Sequence, residues 1–166
     1  MKYKVNDAVM FDNSDVCVIE DIRKEKFSSK EQIYYVLKPV YDDRSTYYCP
    51  VKNEDIQLRS LMTKDEVKDL IKSMPELEIQ WIDNDNERRT HFNELLKHGD
   101  HKQMVKLLKT LYANRAKKQR EGRKFYAMDE RVMKEAEKIV HGEIAYVMGI
   151  EIEEVENYIS GIIDVD

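Results

Sequence analysis

The first 62 residues contain short runs in which apolar and polar positions alternate, separated by clusters rich in Asp, Asn and Ser. The runs lie at residues 8–11, 16–22, 33–37 and 46–49, with a fifth through Ile56, Leu58 and Leu61. Alternation with a period of two predicts β-strands, and the polar clusters predict turns. Five short strands in about 60 residues favour a small, strongly bent antiparallel β-barrel, because an open sheet would leave long exposed edges.

From Thr63 onward the apolar positions recur every three to four residues, which predicts helices. Thr63 and Glu66 have the spacing of a capping box, and Pro75 ends the helix that they begin. The later helices are expected to stop near Gly99, to span about 100–121 and about 128–148, and to finish with a short segment through Ile159. The pattern therefore predicts an α+β chain of two domains, a β-barrel over 1–62 and a bundle of about five helices over 63–166.

Basic charge is concentrated in one stretch of an otherwise acidic chain. The net charge is −5, yet residues 97–124 contain ten basic and two acidic side chains, and residues 151–166 contain six acidic and no basic ones. The helix expected over 100–121, with Asp100 as N-cap and Gly122 as its stop, turns an apolar face to a core and a basic face to solvent.

Five basic side chains of this helix fall within about 80° of arc and form one stripe. Its members are Lys102, Lys106, Lys109, Lys117 and Arg120. Arg88 and Arg89, just upstream, are expected to join the same patch, and the single tryptophan, Trp81, precedes them. A basic stripe on a rigid helix suits the phosphates of nucleic acid. The alternative is a lysine face that meets only solvent.

Several function classes find no support in the sequence. There is no P-loop, no GxGxxG and no GxSxG motif, so we do not expect an enzyme or a bound cofactor. His98 and His101 straddle a helix break, and their spacing lacks the geometry of a metal site, so none is expected. Cys17 and Cys49 are expected to be buried thiols. A charged fraction of 37% and the lack of a long apolar run predict a soluble, cytoplasmic protein with no membrane contact.

Six segments carry a family resemblance. They are YKVNDAVMF, IYYVLKPV and TYYCPVKNEDI in the first domain, and NERRTHFNELLKHGD, MVKLLKTLYANRAKK and MDERVMKEAEKIVHGEIAYVMGI in the second. In these segments the sequence resembles the CarD family of bacterial transcription regulators, and the resemblance extends over nearly the whole chain. The resemblance implies a Tudor/SH3-like N-terminal domain, shared with the transcription-repair coupling factor, that binds the β subunit of RNA polymerase. It also implies a helical C-terminal domain that contacts promoter DNA at the upstream edge of the transcription bubble and stabilises the open complex.

The sequence departs from the family pattern at the expected polymerase surface. Better-known members carry two arginines on the polymerase-binding strands, and the matching positions here are Glu25 and Tyr48. The neighbouring Lys24, Lys26 and Arg44 can supply the missing positive charge. The polymerase-binding residues implied by the resemblance are therefore these five.

Other departures fall in turns and at the expected DNA contact. Asn6 stands where the family usually has Gly, and Asn13 lies in a turn where the family has His-Gly; Asn tolerates the left-handed conformation that such turns need. The DNA-wedging tryptophan of the family corresponds to Asp85, which is unsuited to that role beside phosphates. Trp81 either reaches the DNA as the wedge or packs in the core beside Phe92, and we favour the core.

We therefore expect a non-enzymatic, monomeric transcription factor that binds the polymerase β subunit and promoter DNA. It would shift the closed–open equilibrium through contacts made only when the bubble exists. One alternative is a protein–protein adaptor that uses the barrel alone and contacts no DNA, which the acidic net charge and the departures at Glu25 and Asp85 favour. A ribosome- or RNA-binding module is a third possibility. The segregated basic patch favours DNA.

Overall fold

The chain divides into two compact units, Met1–Leu61 and Met62–Asp166. The structure is a computed structural model that describes residues 1–165, with the side chains of 1–163. The first unit contains an antiparallel sheet and the second consists of helices, so the predicted α+β class is confirmed. The division falls one residue before the predicted domain boundary.

Five antiparallel strands form the sheet of the first unit, in the order β4-β3-β2-β1-β5. They are β1 (Ala8–Phe11), β2 (Asp15–Phe27), β3 (Lys30–Pro39), β4 (Tyr47–Pro50) and β5 (Leu58–Ser60). One face covers a core of seven buried side chains: Val9, Cys17, Ile19, Tyr35, Leu37, Cys49 and Leu58. Burial raises the pKa of the Cys17 thiol to about 12 and that of Cys49 to about 11, so both are protonated at neutral pH.

The predicted closure of this sheet into a barrel is not confirmed. Within the described residues, β4 and β5 are the two edges and no strand pairing joins them. The sheet is nevertheless irregular, because the β2–β3 register shifts between Ile19 and Asp21. A bulge of this kind bends a strand and increases its twist.

The predicted fifth strand is shorter than expected. Ile56 lies in helix α1 (Glu54–Gln57) and is 85% exposed, so it is not part of β5. Glu54 and Asp55 occupy the first turn of α1, where acidic side chains stabilise the positive end of a helix. The Tyr35 hydroxyl donates a hydrogen bond to the Glu54 carboxylate, which attaches α1 to β3.

The turns in the first unit place Asn and Asp in the left-handed backbone conformation. Asn6 has φ of +76°, and Asp12 and Asn13 have φ of +50° and +56°. Two consecutive left-handed residues are typical of the type I′ turn, which matches the twist of a β-hairpin. Asn6 and Asn13 therefore adopt the left-handed conformation that was expected of them from the sequence.

The second unit contains five of the six helices among the described residues. They are α2 (Lys64–Ser73), α3 (Asp85–His98), α4 (His101–Arg120), α5 (Ala127–Met148) and α6 (Val155–Val165). Their apolar faces share one core, in which Ile71, Leu111, Ala136 and Ile144 are fully buried. None of the helices in the described residues is both long enough and apolar enough to cross a bilayer.

The helix ends follow the local signals in the sequence. The Thr63 and Asp100 side chains accept hydrogen bonds from the backbone N–H groups of Glu66 and Gln103, and both caps are complete capping boxes. Gly122 follows α4 with φ of +67°. The predicted cap residues and stop of the basic helix are therefore confirmed.

Replacing Thr63 with Ala should lower the free energy of unfolding by about 1 kcal/mol, because the Glu66 N–H loses its acceptor. Lys64→Ala is the control, since Lys64 is exposed in the first turn of α2, and should change stability by less than about 0.5 kcal/mol. Urea unfolding followed by far-ultraviolet circular dichroism measures both. Equal losses in the two variants would contradict the role of the cap.

Candidate functional site

Three aromatic side chains from neighbouring strands form a cluster on the sheet of the first unit. Phe27, Tyr34 and Tyr48 make edge-to-face contacts, with centroid separations of 5.1 Å (Phe27–Tyr34), 5.0 Å (Phe27–Tyr48) and 6.2 Å (Tyr34–Tyr48). Phe27 remains 45% exposed at the end of β2. A partly exposed aromatic cluster is suited to anchoring a partner protein. We call these three residues the aromatic cluster.

Arg23 supplies the positive charge at this surface. It lies opposite Tyr34 in the β2–β3 register, and its Nε donates to Glu25 over 2.7 Å. Its terminal nitrogens contact Asp21 at 3.2 Å and the Tyr48 hydroxyl at 3.4 Å. Hydrogen bonds to Glu25 and Asp21 raise the pKa of Arg23. A charged guanidinium is thus held at the edge of the aromatic cluster.

The five predicted polymerase-binding residues do not form one surface. Glu25 and Tyr48 are joined through Arg23. Lys24 and Lys26 alternate with Arg23 and Glu25 along β2, so their exposed side chains point to the other face of the strand. Arg44 lies in the exposed loop between β3 and β4, where its backbone N–H donates to the Asp42 carboxylate.

Sequence reasoning missed Arg23, Phe27 and Tyr34 at this surface. The period of two along β2 was the available signal, because it places Arg23, Glu25 and Phe27 on the same face. Tyr34 requires the strand register, since it lies opposite Arg23 on the next strand. That register depends on the length of the β2–β3 hairpin. The alternating pattern predicted a strand over 16–22, whereas β2 extends to Phe27.

The basic face of α4 is present in the second unit, but it is narrower than predicted. Lys102, Lys117 and Arg120 are exposed, and Lys106 is half-buried. Lys109 is occupied by the protein: its Nζ donates to the carbonyl oxygens of Met74, Pro75 and Leu77 at 3.0, 3.1 and 2.6 Å. A cation bound to the carbonyls that follow a helix stabilises the helix end. Lys109 therefore holds the segment after α2 and is not placed to contact phosphate.

Arg88 is also buried inside the helical unit, although the sequence predicted that it contacts DNA. Its side chain is 1% exposed, and its Nε and one terminal nitrogen donate to the two Asp129 oxygens at 2.9 and 3.1 Å. That terminal nitrogen also contacts Asp85 at 3.0 Å, and the other donates to the carbonyl oxygens of Ile82 and Asp83. All five guanidinium donors are thereby used.

Arg88 stays charged despite its burial. Burial lowers the pKa of Arg88, but the hydrogen bonds and charge of Asp129 and the contact with Asp85 outweigh it, so the net shift is upward. Asp129 is fully buried in the first turn of α5. The pair therefore joins the beginning of α3 to the beginning of α5.

Trp81 is half-buried against this pair. The Arg88 guanidinium lies 4.5 Å from the centre of its ring, and Phe92 meets it edge-to-face at 6.1 Å. These contacts fit the core role favoured from the sequence, and whether Trp81 also touches DNA stays a prediction. Arg89, the exposed neighbour of Arg88, extends its Nε toward the Met128 sulfur at 3.3 Å.

The histidines and acidic residues in the described part of the chain do not suggest a metal centre. Among the residues that the structure describes, no three His, Cys, Asp or Glu side chains lie together in a way that could hold a metal ion. His101 instead contacts the buried Glu143 at 3.1 Å, and Glu143 also accepts from the Met62 N–H at 2.9 Å. This network fastens the start of α4 and the start of the second unit onto α5.

Comparison with known proteins bears on the first unit. Residues 3–62 match the family model of the CarD-like/TRCF RID domain. This range covers all five strands and the aromatic cluster. A search of curated proteins finds no match to the chain.

Replacing Arg88 with Met should lower the free energy of unfolding by about 3–5 kcal/mol, because Asp129 becomes a buried carboxylate without its cation. The matched control is Arg131→Met on α5. Arg131 and Glu135 form an exposed pair at 2.9 Å, whose removal should cost less than about 1 kcal/mol. Thermal and urea unfolding measure both changes. Similar losses of stability in the two variants would show that Arg88–Asp129 does not organise the second unit.

Proposed function

We propose that this chain, whose N-terminal unit belongs to the CarD-like/TRCF RID domain family, is a transcription regulator that binds the RNA polymerase β subunit and promoter DNA. The family match indicates an RNA polymerase-interacting, transcription-related protein, and this single observation carries the proposal. The first unit meets the polymerase. The helical unit contacts DNA through α4.

The aromatic cluster and Arg23 are the polymerase-binding surface in this proposal. An arginine beside partly exposed aromatic rings is the composition of an interface hot spot. Glu25 orients Arg23 through the 2.7 Å contact, and Tyr48 contributes both a ring and a hydroxyl. Arg23 thus performs the part that Lys24, Lys26 and Arg44 were expected to share.

The DNA contact of the proposal rests on the exposed basic side chains of the helical unit. Lys102, Lys106, Lys117 and Arg120 share one face of α4, and Arg89 lies on α3. Such side chains bind phosphates without reading sequence, and their contribution falls as salt rises. Stabilisation of the open complex follows if these contacts exist only when the DNA is melted.

A protein–protein adaptor is the competing function, and one observation favours it. Arg88 and Lys109, two of the predicted phosphate contacts, are occupied by protein acceptors. Fewer basic side chains than predicted are therefore available to bind phosphates, so the DNA affinity of the helical unit should be modest and strongly salt-dependent. The two functions differ in the DNA contact, so the salt dependence of DNA binding separates them, whereas the affinity for the β subunit tests the polymerase contact that both can share.

Replacing Arg23 with Ala in the full chain should raise the Kd for the purified polymerase β subunit about 30-fold, because a hot-spot arginine contributes about 2 kcal/mol. Lys24→Ala is the matched control: it removes the same charge from the adjacent position on the opposite face of β2. It should change the Kd less than about threefold. Calorimetric titration measures both, and equal effects would mean that the partner does not bind this face.

Replacing Lys102 and Lys106 with Ala should reduce the slope of log affinity against log salt by about 1.8, roughly 0.9 for each phosphate that the variant can no longer bind. The control pair is Lys68 and Lys72, exposed on α2, whose replacement makes the same change in net charge. Fluorescence anisotropy with a duplex of any sequence, measured over a salt series, gives the slopes. An unchanged slope in the α4 variant would favour the adaptor.

A further inference from the structure

A cavity of about 510 Å³ lies between the helices of the second unit. Its walls come from α4, α5, α6 and the segment that follows α2. Most of its lining side chains are apolar, and Val105, Leu108, Val140 and Ile159 are among them. Pockets for small ligands are about 300–1,000 Å³, are lined mainly by apolar side chains and often lie between the helices of a bundle. The size, lining and position of this cavity therefore suit a small molecule.

His141 is a buried polar side chain in the wall of this cavity. It lies on α5, is 8% exposed, and forms no hydrogen bond in the described part of the chain. Among the described residues, a buried side-chain nitrogen or oxygen that has neither a partner nor accessible surface occurs only at Asn114. Both ring nitrogens of His141 therefore keep accessible surface, and a ligand in the cavity can reach them.

The imidazole of His141 is neutral at neutral pH. Burial lowers the pKa of His141, and this effect outweighs the charges of Glu137 and Glu156, which raise it. Neutral imidazole has one acceptor nitrogen and one N–H donor. A buried polar group without a partner destabilises a folded protein, because its hydration in the unfolded chain is not replaced. A ligand that forms a hydrogen bond with His141 removes this cost.

The charges at the cavity favour a cationic ligand over an anionic one. Glu156 lines the cavity and is exposed on α6. Among the described lining residues, Lys109 is the only lysine or arginine. Its ammonium group already donates to the carbonyl oxygens of Met74, Pro75 and Leu77, which uses all three of its hydrogens. A carboxylate or phosphate would therefore meet the charge of Glu156 without gaining a hydrogen bond from Lys109.

We propose that this cavity binds a small amphipathic amine, whose apolar body fills the space between α4, α5 and α6 and whose ammonium group donates to His141 and faces Glu156. An ammonium group has donors and no acceptor, so it matches an imidazole nitrogen and a carboxylate. The apolar body removes the apolar lining from water. Glu156 and Ser160 are exposed on successive turns of α6, so the ligand enters beside this helix.

This site goes beyond the proposed transcriptional function and does not depend on it. None of its described lining residues is among those proposed to contact the polymerase or DNA. The experiments on Arg23 and on the α4 lysines can therefore fail while the amine site stands, and the reverse also holds.

Three probes that share an indole ring test the chemistry of the cavity on the full chain. Tryptamine carries an ammonium group, tryptophol a neutral hydroxyl and indole-3-propionate a carboxylate. Calorimetric titration measures their Kd values, and amide resonances in NMR spectra locate the binding. Tryptamine should bind about tenfold more tightly than indole-3-propionate, because only the ammonium group forms a charge-assisted hydrogen bond and faces an opposite charge. The largest shifts should fall near Val140 and Ile159.

His141→Phe keeps a planar ring in the wall and removes both nitrogens. It should weaken tryptamine binding about tenfold. His98→Phe is the matched control, because His98 is exposed on α3 and does not line the cavity, and it should leave the Kd unchanged. Thermal melting checks that His141→Phe folds, and its midpoint should stay the same or rise, because the deleted nitrogens form no hydrogen bond within the described chain.

Ser160→Trp is the second variant and does not disturb the core, because Ser160 is exposed at the opening of the cavity. The indole ring should cover the opening and abolish the binding of all three probes. Asn157→Trp is its control, since Asn157 is exposed on the same helix and does not line the cavity. Glu156→Gln should weaken tryptamine binding about threefold and leave tryptophol unchanged, whereas Glu153→Gln should change neither.

Two results would overturn the inference. One is the absence of saturable tryptamine binding, or a Kd for indole-3-propionate that is equal to or lower than that for tryptamine. The other is tryptamine binding that is unchanged in both His141→Phe and Ser160→Trp, because the amine would then be held elsewhere on the chain.

Discussion

The helical unit depends on the buried ion pair between Arg88 and Asp129. These residues lie 41 positions apart, and their pairing joins the beginnings of α3 and α5. The same guanidinium binds the carbonyl oxygens of Ile82 and Asp83 and lies against the Trp81 ring, so it also orders the segment before α3. Burying two charges is costly unless every donor and acceptor is used. The five occupied donors of Arg88 meet that condition.

This constraint determines which cations remain for a ligand. Arg88 forms ion pairs with both Asp129 and Asp85, while the adjacent Arg89 is exposed on the same helix. An arginine pair that looks uniform in sequence is thus divided into one structural and one surface residue. Lys109 shows the same division on α4, since it binds the carbonyls that follow α2 while Lys102 stays in solvent. The net charge of a segment therefore overstates the charge that it offers to a partner.

Local signals predicted much of the fold, and long-range contacts account for the errors. The capping boxes at Thr63 and Asp100 and the stop at Gly122 involve residues within one turn, so the sequence contains the whole interaction. The burial of Arg88 depends on a partner in another helix, and the extent of β2 depends on its register with β3. The spacing of apolar residues along the chain predicts neither the burial of Arg88 nor the length of β2.

The surface proposed to bind the polymerase keeps a positive charge although two of its expected positions are not basic. Glu25 and Tyr48, which the resemblance aligns with arginines, both contact Arg23, whose guanidinium lies between them. Positive charge is thus retained at the surface, but it is already paired with Glu25 and Asp21. Paired charges steer a partner less at long range than isolated ones, because their fields largely cancel. In the proposed interface the aromatic cluster therefore provides more of the affinity than it would beside two unpaired arginines.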